Sequence, residues 1–480
     1  MKDNNRKLRI FVALVVFFSG FVLPEMSGLS RGGMQVMGIF LGTLILWLTV
    51  AIDWPSILCM GGLALVTGLN MKEILSSSFG NSTFAFLVFT FLCTHALSET
   101  PFIRRCAMVF VTSKWAKKGP WFLAILFFIS ILLVGSFISP TVLFIIYLPI
   151  IEEIYHVLHL KKGDSAASML MIGLVICCGI SSGMTPIAHV FPLMALGFFQ
   201  EATKEVISYT QYMAYAIPIG ILSFLASLAI FRYIMKPDMS TLQIKDLDQL
   251  QLEEKKMGGQ EKKVLFVFAL VVALWVLPDL TKSILPGFAG KMKGLGTAFP
   301  PLLGVVALSV LSEEGKPLLN FSDGMKHGIP WAALVMASGT LALGSALSNP
   351  EIGLTDQLGK VIAPVAQTMA PIAMVFILTL WAAIQTNLSS NMVTVTVVTA
   401  IAIPITLATQ GAVNTAAVCA IIGTMASFSF AFPPAMPCVA IAGASGWTTA
   451  KALAIYGSII AFASVLIATF IGYPLANILM

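Results

Sequence analysis

The chain has 480 residues, of which 58% are hydrophobic and only 10% are charged. A soluble protein carries more charge and fewer apolar residues, so this composition argues against a soluble enzyme and predicts a polytopic membrane protein. The formal net charge of +6 does not indicate nucleic-acid binding, because basic residues in membrane proteins normally set the orientation of the chain.

Four apolar runs open the chain, and each approaches the roughly 20 helical residues that cross a bilayer. The first run follows a basic N-terminal stretch and has no A-x-A-like cleavage site after it. We therefore expect a retained helix within an N-terminal segment, 1–32, rather than a removed signal. The four runs lie near residues 9–24, 33–52, 55–70 and 82–97.

Small polar residues interrupt the next apolar stretch. The sequence GSFISPTVLFIIYLP puts Ser136, Ser139 and Thr141 between two apolar arms. An unsatisfied polar group in hydrocarbon costs several kcal/mol, so these side chains must face protein, water or a ligand. Because each arm is short for a crossing, the pattern predicts a re-entrant hairpin over residues 121–158 with its tip at Ser139.

An interrupted span, 167–197, and an ordinary span, 210–233, complete the first half of the chain. The only long polar stretch, 234–263, comes next. It has mixed charges and no apolar periodicity, which is typical of a solvated linker or a surface helix. We predict a cytoplasmic linker here, between a first repeat over 33–233 and a second over 264–480.

The second half repeats the order of the first. Ser390 and Asn391 again lie between two apolar arms, and Ser139 and Ser390 stand about 250 residues apart, as do Ala188 and Ala435. Each repeat has five crossings, an odd number, so the second must be inverted relative to the first. The predicted elements are spans near 264–280, 297–311 and 328–346, a re-entrant hairpin over 369–408, an interrupted span over 414–445 and a last span over 452–478.

The predicted fold is thus an all-α polytopic membrane protein, with about eleven transmembrane helices plus two re-entrant hairpins in two inverted repeats. This architecture is typical of secondary transporters. Most Lys and Arg residues fall in segments that the topology places inside the cell. They predict a multi-pass cell-membrane protein with a cytoplasmic N-terminus and an extracellular C-terminus, although Lys282, Lys291 and Lys293 run against the rule.

Several other function classes are disfavoured by what the sequence lacks. The seven cysteines lie mostly in apolar runs and have no C-x-x-C spacing, so we expect neither a metal site nor disulfides. The spans contain no His/Glu/Asp cluster and no Ser/His pairing, and the chain has no phosphate-binding loop; we predict no enzyme, no catalytic residues, no cofactor and no primary pump. An acidic or carbonyl-filter ring, as in ion channels, is also missing.

Several segments, taken together and in order, resemble one transporter family. The segment SNMVTVT at 390–396 is similar to the second Ser-Asn-Thr signature of the divalent-anion/sodium symporter (DASS) family of di- and tricarboxylate carriers, and ISPTVLFIIYLPI at 138–150 resembles the first. TPIAHVFP at 185–192 and SFAFPPAMPCVAIAGASG at 429–446 resemble its two broken helices. The resemblance covers nearly the whole chain.

The resemblance implies a binding site between the two hairpin tips, with the loops of the broken helices completing two sodium sites. Hydroxyls, an amide and helix N-termini can bind a dianion without a fixed positive charge, so the protein can still release the dianion after transport. The implied substrate site comprises Ser139, Thr141, Ser390, Asn391, Thr394 and Pro437. The implied site for a cation or a cation substitute comprises Ser136, Ala188, His189, Thr386, Asn391 and Ala435.

Some residues depart from the family pattern, and they affect whether transport is expected to be coupled to sodium. Pro140 stands where the first signature has Asn, and Met392 where the second has Thr. Sodium prefers hard oxygen ligands, and both sites have lost some. His189 could place an imidazolium or a fixed N–H donor at the first site, or be purely structural. We therefore favour a sodium-independent exchanger of C4–C6 dicarboxylates, with a sodium-coupled di-/tricarboxylate or sulfate symporter as the alternative.

The resemblance also implies how the carrier works and what it contacts. It implies an elevator-like mechanism, in which the hairpins and broken helices carry the bound dicarboxylate past the other spans. It implies a homodimer in the lipid bilayer. The expected partners are small dicarboxylate anions, with sodium as coupling ion in the symport alternative, and no nucleic acid.

Overall fold

The computed structural model describes residues 2–24, 29–187, 189–242, 257–354, 357, 364 and 367–480. In these residues it is almost wholly helical, with one short antiparallel ladder between Ser312–Glu313 and Lys316–Pro317. The predicted all-α fold of a polytopic membrane protein is confirmed.

The first half contains eleven α-helices within the described residues, several of which begin at a Pro or after an Asn, Asp or Ser cap. They are Lys2–Val22, Arg31–Thr49, Trp54–Leu63, Met71–Ser77, Ser82–Ser98, Phe102–Val111, Pro120–Gly135, Pro140–Val157, Ser165–Met184, Val190–Thr203 and Tyr209–Ile230. Short 3₁₀ turns occupy Ala116–Lys118 and Met239–Thr241, and a π-helical turn, Phe231–Met235, extends the last helix.

The second half is also mainly helical in its described residues, and its relation to the first half as a repeat stays a prediction. Its described helices are Gly259–Thr281, Pro286–Leu295, Phe299–Val310, Phe321–Asp323, Trp331–Leu347, Pro371–Leu388, Asn391–Leu407, Thr415–Ser427, Pro437–Ala444, Ala450–Ile467 and Tyr473–Leu479, with π-helical turns at Gly324–Gly328 and Ala468–Gly472. Nearly half of the predicted linker, residues 243–256, lies outside the described residues.

Seven described helices are long and apolar enough to cross a membrane, or up to ten if each of three sharply bent helix pairs forms one span. The predicted number of eleven crossings therefore stays a prediction. Two predicted spans are shorter than expected: the run 55–70 forms only the ten-residue helix Trp54–Leu63, and the run 297–311 forms Phe299–Val310. In the first case Gly68, with φ of +92°, turns the chain in a conformation that few other residues adopt.

Each predicted hairpin consists of two helices with a short break. One arm of each, Pro140–Val157 and Pro371–Leu388, is long and apolar enough to cross a membrane by itself, so the re-entrant path stays a prediction. We call residues 120–157 the first hairpin and residues 371–407 the second hairpin; their tips are residues 136–139 and 389–390. Pro140 occupies the first position of its helix, where a missing N–H leaves no intrahelical bond unmade. It therefore starts the second arm, although it lacks the amide of the family signature.

The two interrupted spans, 165–203 and 415–444, are called here the first and second broken helices. They approach each other closely because glycines lie between them: a Cβ on Gly179 would stand 2.7 Å from the Phe430 ring, and one on Gly423 would stand 3.0 Å from Pro192 Cα. Tyr212 fixes this crossing, since its hydroxyl donates to Gly183 O (2.7 Å) and lies 2.9 Å from Thr424 Oγ1. The two breaks are thereby held side by side.

Helix Phe102–Val111 connects the first hairpin to the second half through two neighbouring arginines. Arg105 binds Glu261 with two hydrogen bonds of 2.9 and 3.0 Å, and Glu261 is only 2% exposed. Arg104 binds Glu153 of the first hairpin at 3.1 Å, where both side chains are about one-third exposed. The first ion pair is the buried one and is expected to stabilise the packing more strongly.

This difference between the two pairs can be tested. Glu261→Gln leaves the Arg105 guanidinium buried without its carboxylate, which typically costs about 3–5 kcal/mol of stability. Glu153→Gln removes an exposed pair and should cost about 1 kcal/mol or less. Thermal unfolding of the purified proteins in one detergent, followed by tryptophan fluorescence, should show a much larger fall in melting temperature for Glu261→Gln. Equal falls would contradict the assigned difference.

Candidate functional site

Asn387, one helical turn before the second tip, holds the loop of the second broken helix. Its side chain is 5% exposed. The amide Nδ2 donates to Phe428 O at 2.9 Å, and Oδ1 accepts from the backbone N–H groups of Phe430 (3.0 Å) and Ala431 (2.9 Å). Thr386 adds a hydrogen bond to Ala426 O at 2.7 Å. The second hairpin and this loop therefore form one hydrogen-bonded unit.

The sequence explains why the loop needs such a partner. The helix Thr415–Ser427 stops before a stretch that contains Pro433, Pro434 and Pro437, which cannot donate backbone hydrogen bonds. A break leaves the last carbonyls and the following N–H groups without intrahelical partners. Inside a bilayer water cannot satisfy them, so a side-chain amide, which both donates and accepts, is suited to this place.

Asn391, the first residue of the second arm, carries the least satisfied polar atom of the site. The side chain is 4% exposed. Its Nδ2 donates to Ser429 Oγ at 2.7 Å, while its Oδ1 is buried and has no hydrogen-bond partner among the described residues. In this orientation the Ser429 hydroxyl oxygen is the acceptor of the bond from Nδ2. A buried acceptor without a partner is costly and is thus a ligand candidate for a cation or a donor.

Hydroxyl groups flank Asn391 on its own helix. Ser390 occupies the N-cap position of this helix and is half-buried. Its hydroxyl makes no hydrogen bond with the described residues. The Thr394 hydroxyl is buried and donates to Ser390 O at 3.0 Å, which leaves its oxygen only as an acceptor. Ser390 is therefore the predicted site residue at this tip whose hydroxyl can donate to an anion without breaking another bond.

The first tip is bonded to both broken helices. Thr185 Oγ1, in the loop of the first broken helix, donates a short hydrogen bond to Ser136 O. Cys438, in the second broken helix, donates from Sγ to Pro140 O at 3.4 Å. The Ser136 hydroxyl itself is used within its helix, since it donates to Leu132 O.

The segment 428–438 therefore contacts both hairpins next to their tips: its start bonds to Asn387 and Asn391 of the second hairpin, and Cys438 bonds to Pro140 of the first. Of the other predicted residues, Ser139 is half-buried at the first tip, Ala435 is buried within the segment, and Pro437 is exposed. Ala188 lies outside the described residues.

His189 has a defined structural role. It caps the helix Val190–Thr203, and its Nδ1 accepts the backbone N–H of Val190 at 2.9 Å, while its ring stacks on Phe191 with 4.0 Å between centroids. A ring nitrogen that accepts a hydrogen bond carries no proton, so the imidazole is neutral here and its hydrogen is on Nε2. The geometry thus retains the N–H donor but gives no support to an imidazolium at this position.

Four residues of the site were not assigned a role from the sequence: Asn387, Ser429, Thr185 and Cys438. Asn387 stands beside Gln385 and Thr386 in a polar group before the second tip, but its spacing does not reveal a partner more than 40 residues away. Ser429 and Thr185 stand within segments that carry the family resemblance. Cys438 has no spacing signal, because a single cysteine in an apolar run is usually a small packing residue.

The donor set of the site is neutral. Within the part of the chain that the structure describes, no group of three or more His, Cys, Asp or Glu residues could hold a metal ion. A cation at the tips would be held by amide, hydroxyl and carbonyl oxygens. Hard, neutral oxygens fit a monovalent alkali ion better than a transition metal, which prefers imidazole or thiolate ligands.

Comparisons with known proteins agree with this arrangement. The family model of the sodium:sulfate symporter transmembrane region matches residues 4–480. A sodium-dependent dicarboxylate transporter, SdcS, of Staphylococcus saprophyticus is 26% identical over 474 residues, which cover 96% of this chain and 89% of that protein. Its counterpart in Staphylococcus aureus (strain bovine RF122) is 23% identical over 487 residues, which cover 98% of this chain and 90% of that protein.

The anchoring of the loop by Asn387 leads to a prediction. Asn387→Ala leaves two N–H groups and one carbonyl of the loop unpaired, at a cost of about 1–3 kcal/mol for each buried group. We expect a lower melting temperature and faster maleimide labelling of the buried Cys438, measured by peptide mass spectrometry.

The matched control is Ser389→Ala at the same tip. Among the described residues the Ser389 hydroxyl bonds only to Gln385 O, one turn earlier in the chain, so its loss should change neither quantity appreciably. Labelling of Cys438 at the same rate in both variants would show that Asn387 does not anchor the loop.

Proposed function

This chain belongs to the sodium:sulfate symporter family, and on that premise we propose that it is a sodium-coupled symporter of dicarboxylates. Membership of this family makes it a multi-pass membrane transporter rather than an enzyme, in agreement with the resemblance to the DASS carriers. The two SdcS relatives are named sodium-dependent dicarboxylate transporters. We therefore propose sodium-coupled symport, which the sequence analysis gave as the alternative, in place of sodium-independent exchange.

One observation carries the sodium assignment. Asn391 Oδ1 is buried without a partner at the second tip, while the other end of its amide is bound to Ser429. An oxygen held in this way can accept a bond from a cation at no cost in existing hydrogen bonds. The loop of the second broken helix is fixed by Asn387 and bonds to Asn391 through Ser429, so we propose that its backbone carbonyls complete the site. We assign the sodium ligand role to Asn391 and to this loop.

The dicarboxylate is proposed to lie between the tips, with its closer contacts at the second. Two helix N-termini begin there, at Pro140 and Asn391, and a helix N-terminus favours an anion. Ser390 adds a free hydroxyl donor, whereas Pro140 offers neither an amide nor an N–H. Succinate, malate and 2-oxoglutarate are the expected type of substrate.

Coupling follows from charge. A dianion at the tips must be held in a poorly hydrated site by neutral groups alone, because no described acidic or basic cluster faces it. A sodium ion a few ångströms away would offset part of the charge, and in a medium of low dielectric constant this attraction is strong. Sodium and dicarboxylate then bind with positive coupling, which is reciprocal between the two ligands.

We extend the proposal to the moving parts. The hydrogen bonds among the tips and the broken helices support their movement as one body, as an elevator-like mechanism requires. In this account residues 33–233 and 264–480 are inverted repeats after an N-terminal segment 1–32, the linker 234–263 and the N-terminus are cytoplasmic, and two copies form a homodimer.

Exchange without sodium is the second candidate. The sequence favours it because both sodium sites lack some oxygen ligands and because His189 could place an imidazolium or an N–H donor at the first site. The neutral ring described above provides an N–H donor but no charge. An uncharged donor can bind a carboxylate, yet it cannot replace the electrostatic contribution of a cation. This geometry supports symport over exchange.

Transport in proteoliposomes distinguishes the two candidates. We expect labelled succinate to enter empty vesicles when an inward sodium gradient is imposed and not when potassium replaces sodium. Malate and 2-oxoglutarate should compete more strongly than citrate or sulfate. Ser390→Ala should weaken succinate uptake roughly tenfold or more, because a hydrogen bond to a charged group contributes about 1.5–3 kcal/mol.

One contrary outcome and one control variant complete this experiment. Uptake that needs preloaded internal dicarboxylate and ignores sodium would overturn symport in favour of exchange. His189→Asn keeps a capping acceptor but cannot be charged, so sodium-dependent uptake should persist in that variant. Loss of uptake by a folded His189→Asn protein would indicate that a charged imidazole at this position is needed for transport.

A further inference from the structure

A groove of about 400 Å³ lies on the outer surface of the first half, away from the tips. It is formed between the start of the first hairpin and the end of helix Tyr209–Ile230 with its π-helical extension. The tip of the first hairpin is a further 15 residues along the helix from Pro120, or about 22 Å. The groove thus does not belong to the transport site. Its lining includes Trp121, Phe122, Ile125, Leu228, Arg232 and Tyr233.

One cation stands in this otherwise apolar and aromatic lining. The Arg232 guanidinium lies over the Trp121 ring, with 5.2 Å between its central carbon and the ring centroid. No carboxylate is within ion-pair distance of Arg232 in the described ranges of the chain. The cation–π contact orients the guanidinium but does not neutralise it, so its charge remains available to an anion.

The surroundings of the groove are basic as well. The stretch 112–122, which leads into the first hairpin, contains Lys114, Lys117 and Lys118 and no acidic residue, and Lys118 Nζ lies 3.6 Å from the centroid of the Trp115 ring. The first carboxylate after Arg232 in the sequence, Asp238, accepts hydrogen bonds from Ser240. The groove therefore has an excess of positive charge at one end.

Exposed aromatic residues place this end at the bilayer surface. Trp115 is 60% and Tyr233 is 69% exposed, and Trp, Tyr, Lys and Arg gather where the hydrocarbon meets the headgroups. The apolar remainder of the groove then faces the hydrocarbon. A water-soluble anion would gain nothing from contact with this apolar surface. An amphiphile with an anionic head group matches both the basic end and the apolar remainder of the groove. Basic pockets between transmembrane helices bind anionic lipid headgroups in this way.

We propose that this groove is a binding site for an anionic phospholipid. The phosphate binds Arg232, and part of one acyl chain packs along Phe122, Ile125 and Leu228. The volume is within the range of pockets that hold apolar ligands, roughly 300–1,000 Å³. Since the groove joins the first hairpin to helix Tyr209–Ile230, a bound lipid stabilises their contact. The site requires only the membrane environment and is independent of the transported substrate.

Native mass spectrometry of the full-length protein tests the site. The protein is presented with phosphatidylglycerol and phosphatidylcholine of identical acyl chains, in competition. We expect the wild-type protein to retain phosphatidylglycerol preferentially. Arg232→Gln should reduce that preference roughly fivefold, as expected for the loss of one basic residue near the membrane surface. Lys291→Gln, which removes an exposed lysine from helix Pro286–Leu295, is the control and should leave the preference unchanged.

Each outcome has a defined meaning. Equal retention of both lipids by the wild-type protein overturns the proposal without the need for any variant. An unchanged preference in Arg232→Gln also overturns it. If Arg232→Gln instead dissociates an oligomer while the lipid preference persists, the groove belongs to a contact with a second copy. Ile125→Trp fills the groove without a change in charge and should also reduce retention, which separates a lipid in the groove from a lipid attracted by charge alone.

Discussion

Within a bilayer, the backbone groups exposed by a broken helix must find partners inside the protein, and this constraint organises the site. The break after Ser427 frees carbonyls and N–H groups, and Asn387 binds three of them with a single amide. Without that amide the break would leave buried polar groups unsatisfied. The second hairpin and the second broken helix are therefore held together by necessity, before any ligand is considered.

The consequence is an asymmetric site built around one segment, 428–438. Its start is fixed to the second hairpin and its end contacts the first hairpin through Cys438. The second tip keeps an amide whose oxygen lacks a partner, while the first tip begins its helix with a proline. In the proposed symporter, sodium and the dicarboxylate both bind mainly at the second tip. The first tip contributes mainly the N-terminal groups of its helix. Closely packed glycines between the two broken helices make this convergence possible.

The amino-acid pattern predicts the helical fold and the positions of both tips, because polar residues within apolar runs are conspicuous and prolines mark helix starts. Short helices such as Phe102–Val111 and Pro286–Leu295 are not predicted, since they lack the length of a span. Ser390 and Asn391 were selected through the family signature. Asn387 and Ser429 depend on contacts across about 40 residues, which no local pattern encodes. The role of His189 stays open from the sequence, because the backbone bond that its Nδ1 accepts from Val190 appears only in the folded chain.

Sodium binding at the second tip is the central claim, and the sodium dependence of thermal stability measures it most directly. A ligand that binds only the folded state raises the melting temperature. We expect sodium chloride to stabilise the wild-type protein more than potassium chloride at equal ionic strength, and this difference to vanish in Asn391→Ala. An undiminished sodium effect in Asn391→Ala, or none in the wild-type protein, would contradict the account.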